Sequence, residues 1–372
     1  MAARANGTIA VDIREIRSHH ITGIGRFVKL FLKNVQPQDR ARFYLLADSS
    51  SDVSSLDSGF NILYGNAIST LVFDQVSITC MLKRNHIKLF YSPYFKMPLL
   101  GRAKSVITIH DLHFLEPMLR RGWARWKPFV SYLKTVSRKA DTIITVSEFS
   151  KRQIISRLGV NAKKIKIDYN GIDPAFHPVR KTADTVIGTG CEIHAPYILY
   201  VGNLEPHKNV AGLITAYNLL GAHYRQAYKL VIVAHQDRNV KALRALVERL
   251  SLAGEVIFID FVCDSDLAML YSCAEVFAFP SFYEGFGLPP VEAMACGAAV
   301  VSSGTTSLRE VLQDAAVYVD PYSVEDIASG LSRMLESAAL RQEYRARGLA
   351  QAQKYSGEVF AGCLLKELEE CM

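Results

Sequence analysis

Two stretches of this 372-residue chain place charged side chains beside glycines and prolines directly after short apolar runs. After YILYV (197–201) stands Gly202-Asn203-Leu204-Glu205-Pro206-His207-Lys208-Asn209. A lysine at the start of a helix adds a point charge to the free N–H groups there, and the two together suit a phosphate. The plain alternative is a surface lysine. After VFAF (276–279) stands Pro280-Ser281-Phe282-Tyr283-Glu284-Gly285-Phe286-Gly287-Leu288-Pro289-Pro290-Val291-Glu292. Gly285 and Gly287 let a ligand approach the backbone, and the N–H groups near Phe286, Gly287 and Leu288 open the next helix toward an anion. A carboxylate next to a phosphate is repelled. Glu284 and Glu292 are therefore read as acceptors for hydroxyls, as on a sugar and a ribose. For Glu292 the alternative is a carboxylate answering the helix dipole.

In the first half, Thr22-Gly23-Ile24-Gly25-Arg26 opens a helix with two glycines. It is not G-x-G-x-x-G, which argues against a dinucleotide oxidoreductase. His110-Asp111 follows SVITI (105–109), so His110 stands at the carboxyl end of a strand, where ligands of open α/β sheets bind. No H-x-x-x-H pair, no G-x-S-x-G elbow and no D-x-D at a strand end is present, so no metal is expected in the site. The seven cysteines contain no C-x-x-C pair, which fits a reducing compartment.

These residues need elements to hold them. In the second half YILYV, KLVIV (229–233), VIFI (256–259), VFAF, AAVV (298–301) and AVYV (316–319) alternate with segments of helical period. Leu213, Ala216, Tyr217 and Leu220 form one such stripe, and Leu243, Leu246, Val247 and Leu250 another. Strand and helix alternating six times predict a parallel, doubly wound sheet. TIAVDI (8–13), FYLLA (43–47), SVITI and TIITV (142–146) predict a similar first domain, with 50–100 poorly patterned. The expected organisation is a first domain over 1–178, a linker over 179–195, a second domain over 196–352 and a closing helix over 353–372. No signal peptide or membrane-spanning run is visible. Residues 1–177 hold 27 Lys and Arg against 13 Asp and Glu, and 178–372 hold 16 against 23. A basic half joined to an acidic half points to an anionic partner for the first, or to a solvated surface. Arg120, Arg121, Arg125 and Lys127 around Trp123 and Trp126, then Lys134, Arg138, Lys139, Lys151 and Arg152, supply much of the excess.

YVGNLEPHKN, FAFPSFYEGFGLPPVEAMACG, VVSSGTTSLREV and AVYVDP, with TIHDL, VSEFS and YNGID in the first half, resemble the retaining glycosyltransferases of family 4 over nearly the whole chain. The resemblance implies the GT-B fold: two Rossmann-like α/β domains facing a central cleft, with a C-terminal helix crossing back to the first. It implies a nucleotide-sugar donor held mainly by the second domain. Lys208 would hold the diphosphate, next to Asn203, where the family often has arginine. Glu284 would bond the transferred sugar, the backbone of Gly285, Phe286, Gly287 and Leu288 would approach sugar and phosphate, and Glu292 would hold the ribose. Phe261, Val262 and Cys263 would contact the base, Gly23 and Gly25 would close over the phosphates, and His110 would touch the sugar near its reacting carbon. The L-E-P-x-K-N string is similar to that of mannosyltransferases, which implies a GDP-mannose-type donor, no cofactor and a glycan or lipid-linked saccharide acceptor in cell-surface polysaccharide synthesis. The expected location is cytoplasmic, peripheral on an anionic membrane, with no nucleic-acid partner. Retention is expected by front-face attack or by double displacement through Glu284. The same fold serves nucleotide-sugar 2-epimerases, the alternative function.

Overall fold

The computed structural model describes residues 7–17, 22–66, 69–116, 123–179, 196–235, 239–260 and 262–372, with the backbone alone at 123–126. The chain forms two units, Met1–Gly171 with Gly357–Met372, and Ile172–Ser356. Residues 172–179 lie in the second: Phe176 packs edge-on to Tyr271, and the Val179 N–H donates to Ser272 Oγ at 3.0 Å. Residues 180–195, most of the expected linker, lie outside the described residues, as do Phe261, Arg120, Arg121 and the side chains of Trp123, Arg125 and Trp126.

Unit 1 holds a seven-stranded sheet: β1 (Ile9–Asp12), β2 (Phe43–Ala47), β3 (Asn61–Tyr64), β4 (Leu89–Ser92), β5 (Lys104–Thr108), β6 (Thr142–Thr145) and β7 (Ile165–Ile167). The order is β3-β2-β1-β4-β5-β6-β7, all parallel. β1 and β4 are buried at all four positions. A central parallel strand is covered on both faces and so reads as an unbroken apolar run. Successive side chains point to opposite layers. Ile9 and Val11 join Phe27, Phe31 and Leu364 on one side, and Ala10 joins Phe90, Ile107 and Leu133 on the other. The flanking helices include α1 (Gly23–Lys33), α2 (Ile78–Arg84), α3 (Trp123–Lys139) and α4 (Glu148–Leu158).

Unit 2 holds β8 (Tyr197–Val201), β9 (Lys229–Val233), β10 (Val256–Ile259), β11 (Val276–Phe279), β12 (Val300–Ser303) and β13 (Ala316–Val319). They run parallel in the order β10-β9-β8-β11-β12-β13. Its longer helices are α5 (Val210–Leu219), α6 (Val240–Arg249), α7 (Asp264–Cys273), α8 (Leu288–Ala295), α9 (Val324–Glu336) and α10 (Ala338–Ala352). The sequence-predicted strand over 298–301 forms two residues later, because Ala298 and Ala299 make the buried approach to β12.

The final helix, α11 (Gly357–Glu370), returns to unit 1. Phe360, Ala361, Leu364 and Leu368 are buried in the layer that α1 covers, and the Phe27 and Phe360 rings lie 4.7 Å apart. A Cβ at Gly171 would stand 2.7 Å from the Phe360 Cβ, so a glycine is needed where the chain leaves unit 1. Among the described residues no helix is long and apolar enough to cross a membrane.

In each sheet the strand order reverses once: between β1 and β4 in unit 1, and between β8 and β11 in unit 2. Open α/β sheets bind ligands outside the carboxyl ends of their strands at such switch points.

Candidate active site

The two loops predicted to carry the chemistry leave β8 and β11, on either side of the switch point of unit 2. They are tied to each other. The His207 carbonyl accepts the Phe282 N–H at 2.8 Å and Ser281 Oγ at 2.9 Å. Asn209 adopts the left-handed conformation (φ 57°), and its Nδ2 donates to the carbonyls of Pro280 (3.1 Å) and Pro321 (2.8 Å). That tie holds Lys208 against the second loop. Lys208 Nζ donates to both Glu284 oxygens, at 2.7 and 2.9 Å, and lies 5.6 Å from the Phe279 ring centroid. The side chains are only 13% and 9% exposed, so this is a nearly desolvated ion pair. The backbone of Glu284 is pinned from the loop after β12. Its N–H donates to Thr306 Oγ1 at 3.1 Å, and its carbonyl accepts Ser307 Oγ at 2.9 Å.

Gly287 begins α8 at φ 94°, and a Cβ there would meet Leu308 Cδ2 at 2.5 Å, so only glycine fits. The helix start offers an anion less than its position suggests. Pro289 and Pro290 follow Leu288 and carry no N–H, which leaves Gly287 and Leu288 as the donors facing outward. Phe286 is buried with its ring edge-on to Tyr355, so it can offer a ligand only its backbone. Gly285 is enclosed beside it. Glu292 lies in α8 and accepts the Tyr271 hydroxyl at 3.1 Å, away from the Lys208 pair. Val262 is buried just before α7. Asn203 is exposed; its Oδ1 caps the Glu205 N–H at 3.2 Å, and its carbonyl accepts the Tyr200 hydroxyl. It shapes the loop rather than adding a cation.

In unit 1, His110 follows β5 and packs edge-on to Phe27, one turn into α1, at 4.9 Å. Its Nε2 lies 3.0 Å from the Pro93 carbonyl. A carbonyl only accepts, so Nε2 carries the proton and Nδ1 keeps its lone pair. Burial pushes the imidazole pKa down, which keeps the ring neutral. Asp111 beside it is held down to about 2. Burial alone would raise it, but the hydrogen bonds and charge of His113 prevail. At the start of α1, Thr22 Oγ1 accepts the Gly25 N–H at 3.0 Å. The cap therefore uses one of the two glycine N–H groups expected for phosphate. Open space surrounds the position of a Gly23 Cβ.

Two adjoining cavities, about 50 and 500 Å³, share Arg14, Asp48 and Thr70 at the switch point of unit 1. Pro93, the partner of His110, lines the smaller one together with Glu15, Tyr94 and Lys96. Arg14 is held by Asp12 (2.5 Å) and Asp74 (2.6 Å), with its guanidinium 4.2 Å from the Phe73 ring centroid. Burial opposes its charge, but the two carboxylates outweigh that and push its pKa up.

The chain matches known proteins across this same span. Residues 193–351 fit the model for glycosyl transferases group 1, and residues 64–176 the model for glycosyltransferase family 4. O-antigen chain mannosyltransferase B of Escherichia coli is 36% identical over 273 residues, 73% of this chain and 71% of that one. The chain belongs to glycosyltransferase family 4. It is also 31% identical over 68% of its length to the serotype-specific mannosyltransferase WbdA of Escherichia coli, of which it spans 32%. Sucrose-phosphate synthase from Thermosynechococcus elongatus shares the GT-B fold, with a TM-score of 0.79 over 98% of this chain and 100% of that one at 19% identity.

In this glycosyltransferase the structure brings Lys208 and Glu284 into direct contact, leaves Glu292 within α8 bonded to Tyr271 near the end of α7, and leaves Val262 just before the start of α7. His110 and the Gly23–Gly25 turn share one region of unit 1. Sequence reading missed the ion pair, the Thr306 and Ser307 clamps, and the Arg14 cavities. The VVSSGTTSLREV string contained the clamps, but nothing in their spacing marks them as partners of Glu284.

Proposed function

We propose that this glycosyltransferase moves a hexose, mannose in preference, from a nucleoside-diphosphate donor of the GDP-mannose type to a glycan or lipid-linked saccharide, with retention at the anomeric carbon. The observation that carries the reading is the Lys208–Glu284 pair at the switch point of unit 2. An ammonium has three N–H donors, and two go to Glu284. The third serves a diphosphate oxygen, while the remaining lone pairs of Glu284 accept hydroxyls of the sugar. One ion pair thus couples the leaving group to the transferred group.

In the reaction the bond from the anomeric carbon to the diphosphate oxygen breaks and a bond to the acceptor oxygen forms on the same face. The acceptor's proton passes to the departing diphosphate. Lys208 and the α8 start stabilise the charge that grows on that diphosphate. Both oxygens of Glu284 are already engaged by an ammonium, which blunts it as a nucleophile and favours front-face attack over double displacement. Neutral His110 offers Nδ1 to a sugar hydroxyl near the reacting carbon. Glu292 takes the ribose hydroxyls, the backbone at Val262 the base, and Gly23 with Gly25 the phosphates, with Asn203 shaping the loop before Lys208. Homology to mannosyltransferases supports transfer over epimerisation and mannose over other hexoses. The reading places the enzyme on the cytoplasmic side, peripheral to a membrane, needing no metal and no nucleic acid.

The test is a panel of nucleotide sugars scored by thermal stabilisation, which rises as RT ln(1 + [L]/Kd), followed by determination of the product anomer. Stabilisation by GDP-mannose with a retained product supports the proposal. Preference for a different base or sugar overturns the donor, and an inverted product overturns the mechanism.

A further inference from the structure

A cavity of about 220 Å³ opens on unit 1 at the amino ends of β5 and β6, the end of the sheet opposite His110 and the Arg14 cavities. Its floor is apolar, made by Leu82, Phe90, Met97 and Pro98. Three cations stand around it: Arg102, Lys104 and Lys139. Among the described residues none of the three side chains has a carboxylate partner, whereas Arg14 at the other end of the sheet is held by two. The one acid of the lining, Asp141, is already engaged. Its Oδ2 accepts the Ser105 N–H at 2.8 Å and Ser105 Oγ at 2.9 Å. Lys139 ends α3, yet it is not needed to answer the helix dipole. Lys164 Nζ covers the terminal carbonyls of Arg138 and Ala140, both at 2.9 Å.

The neighbouring loop adds a second observation. Gln75 pins it on two sides, donating to the Met97 carbonyl at 3.0 Å and accepting the Leu99 N–H at 2.8 Å. Leu99 then packs toward the core, and Leu100 is driven outward, 83% exposed. A single exposed leucine is ordinary. One held out by a pinned loop beside an unpaired cationic cavity with an apolar floor is suited to a ligand that is anionic at one end and apolar at the other.

We propose that this cavity seats the phosphate headgroup of an anionic lipid, with Leu100 entering the adjoining acyl layer, so that unit 1 meets a membrane by the amino edge of its sheet. The placement leaves the carboxyl ends of the strands free for sugar chemistry. The proposal gives the peripheral association suggested above a defined face, but it stands on residues that take no part in donor binding, so either reading can fail alone. It also accounts for part of the positive excess of residues 1–177, which folding gathers here from two segments far apart in the chain. Each Lys or Arg near an anionic surface strengthens partitioning about fivefold, so the three together are worth roughly a hundredfold.

The experiment is vesicle flotation of the full chain, with phosphatidylcholine alone and with phosphatidylglycerol added, across salt. The proposal expects binding only with the anionic lipid, weakening as salt shortens the Debye length from about 8 Å to about 3 Å. The triple variant Arg102→Ala, Lys104→Ala, Lys139→Ala should bind roughly a hundredfold less, and Leu100→Ser should also bind less. All four side chains are exposed, so the fold should persist, checked by unchanged stabilisation by nucleotide sugar. A charge-matched control, Lys241→Ala, Arg249→Ala, Lys354→Ala, should keep wild-type binding. Equal binding to both vesicles, no binding to either, or equal loss in the control overturns the proposal. Displacement from vesicles by millimolar inorganic phosphate, with Leu100→Ser unchanged, also overturns it, because the cavity would then be a site for free phosphate.

Discussion

Breaking the Lys208–Glu284 pair separates its structural role from its chemical one. At 2.7 Å and an effective dielectric constant near 20, the attraction is about 6 kcal/mol before desolvation is charged against it. Replacing one member leaves the other charge nearly buried and unpaired, which typically costs about 3–5 kcal/mol. For a unit of this size each kcal/mol shifts Tm by about 2–4 °C, so Lys208→Ala and Glu284→Gln should each lower the melting of unit 2 by roughly 6–20 °C. The double variant Lys208→Ala, Glu284→Gln removes both charges and should recover part of that loss, giving a coupling of a few kcal/mol. Activity should behave oppositely. Lys208→Ala should lower kcat/KM by about 10²-fold or more, Glu284→Gln should abolish most transfer, and the double variant should regain none of it, because it lacks both the cation proposed for the leaving group and the carboxylate proposed for the sugar. The assay is calorimetry beside steady-state kinetics on the same preparations. Single variants that melt within about 1 kcal/mol of wild type, or a stable double variant with near-native kinetics, would refute the reasoning.

His110→Ala should remove more than nine-tenths of transfer at unchanged fold, a barrier rise above about 1.4 kcal/mol; because burial lowers the His110 pKa, kcat/KM in the wild type should fall only below the usual histidine range as acid charges the ring. Asp168, buried after β7 with Oδ2 lacking a hydrogen-bond partner, has its pKa raised to about 8 by burial and by Glu367, so its protonated form is the one the fold tolerates. Its contribution to stability is therefore full below the unfolded value near 3.9 and is lost as pH rises through about 8; Asp168→Asn should flatten that decline and raise Tm at pH 8–9, and an unchanged pH profile would contradict the assignment. Chelation with EDTA should leave the rate unchanged, because in the proposed mechanism Lys208 supplies the charge that a D-x-D motif with its metal would otherwise supply; loss of activity restored by Mg²⁺ or Mn²⁺ would falsify this.

How far the fold was legible follows from what each strand packs against. β2 and β9 were read residue for residue, because FYLLA and KLVIV are apolar runs bounded by polar segments. β4 is a central strand, buried at every position, yet it was missed. Four residues, Leu89 to Ser92, are too few to separate a buried strand from a helix by period. β3 and β7 lie at the two edges of their sheet and carry exposed or half-exposed polar residues, Asn61 and Lys166, so composition hid them. Their positions are set by pairing to neighbours already in place, which is tertiary information.

The site divides on the same line. A motif announces residues that lie close in sequence, so Lys208, Glu284 and His110 could be named from their places after strands. What each does depends on partners that only the topology supplies. Glu284 was kept apart from the phosphate because two negative charges repel, an argument that treats the carboxylate as bare. The switch point between β8 and β11 instead sets it on an ammonium from a loop 76 positions away. Neutralised in this way, a carboxylate can stand beside a diphosphate, and the repulsion that seemed to divide their roles becomes the reason for their pairing. The same sheet order runs through unit 1, where Arg14 with Asp12 and Asp74 occupies the corresponding switch point. There Asp12 and Asp74 neutralise Arg14, and Arg17 and Lys96 stand beside Glu15 and Asp48 in the same lining, so the charge is mixed. The Lys208–Glu284 pair therefore supports the proposed seating of a diphosphate in unit 2, while the mixed charge of the unit 1 cavities suits a hydroxyl-rich group.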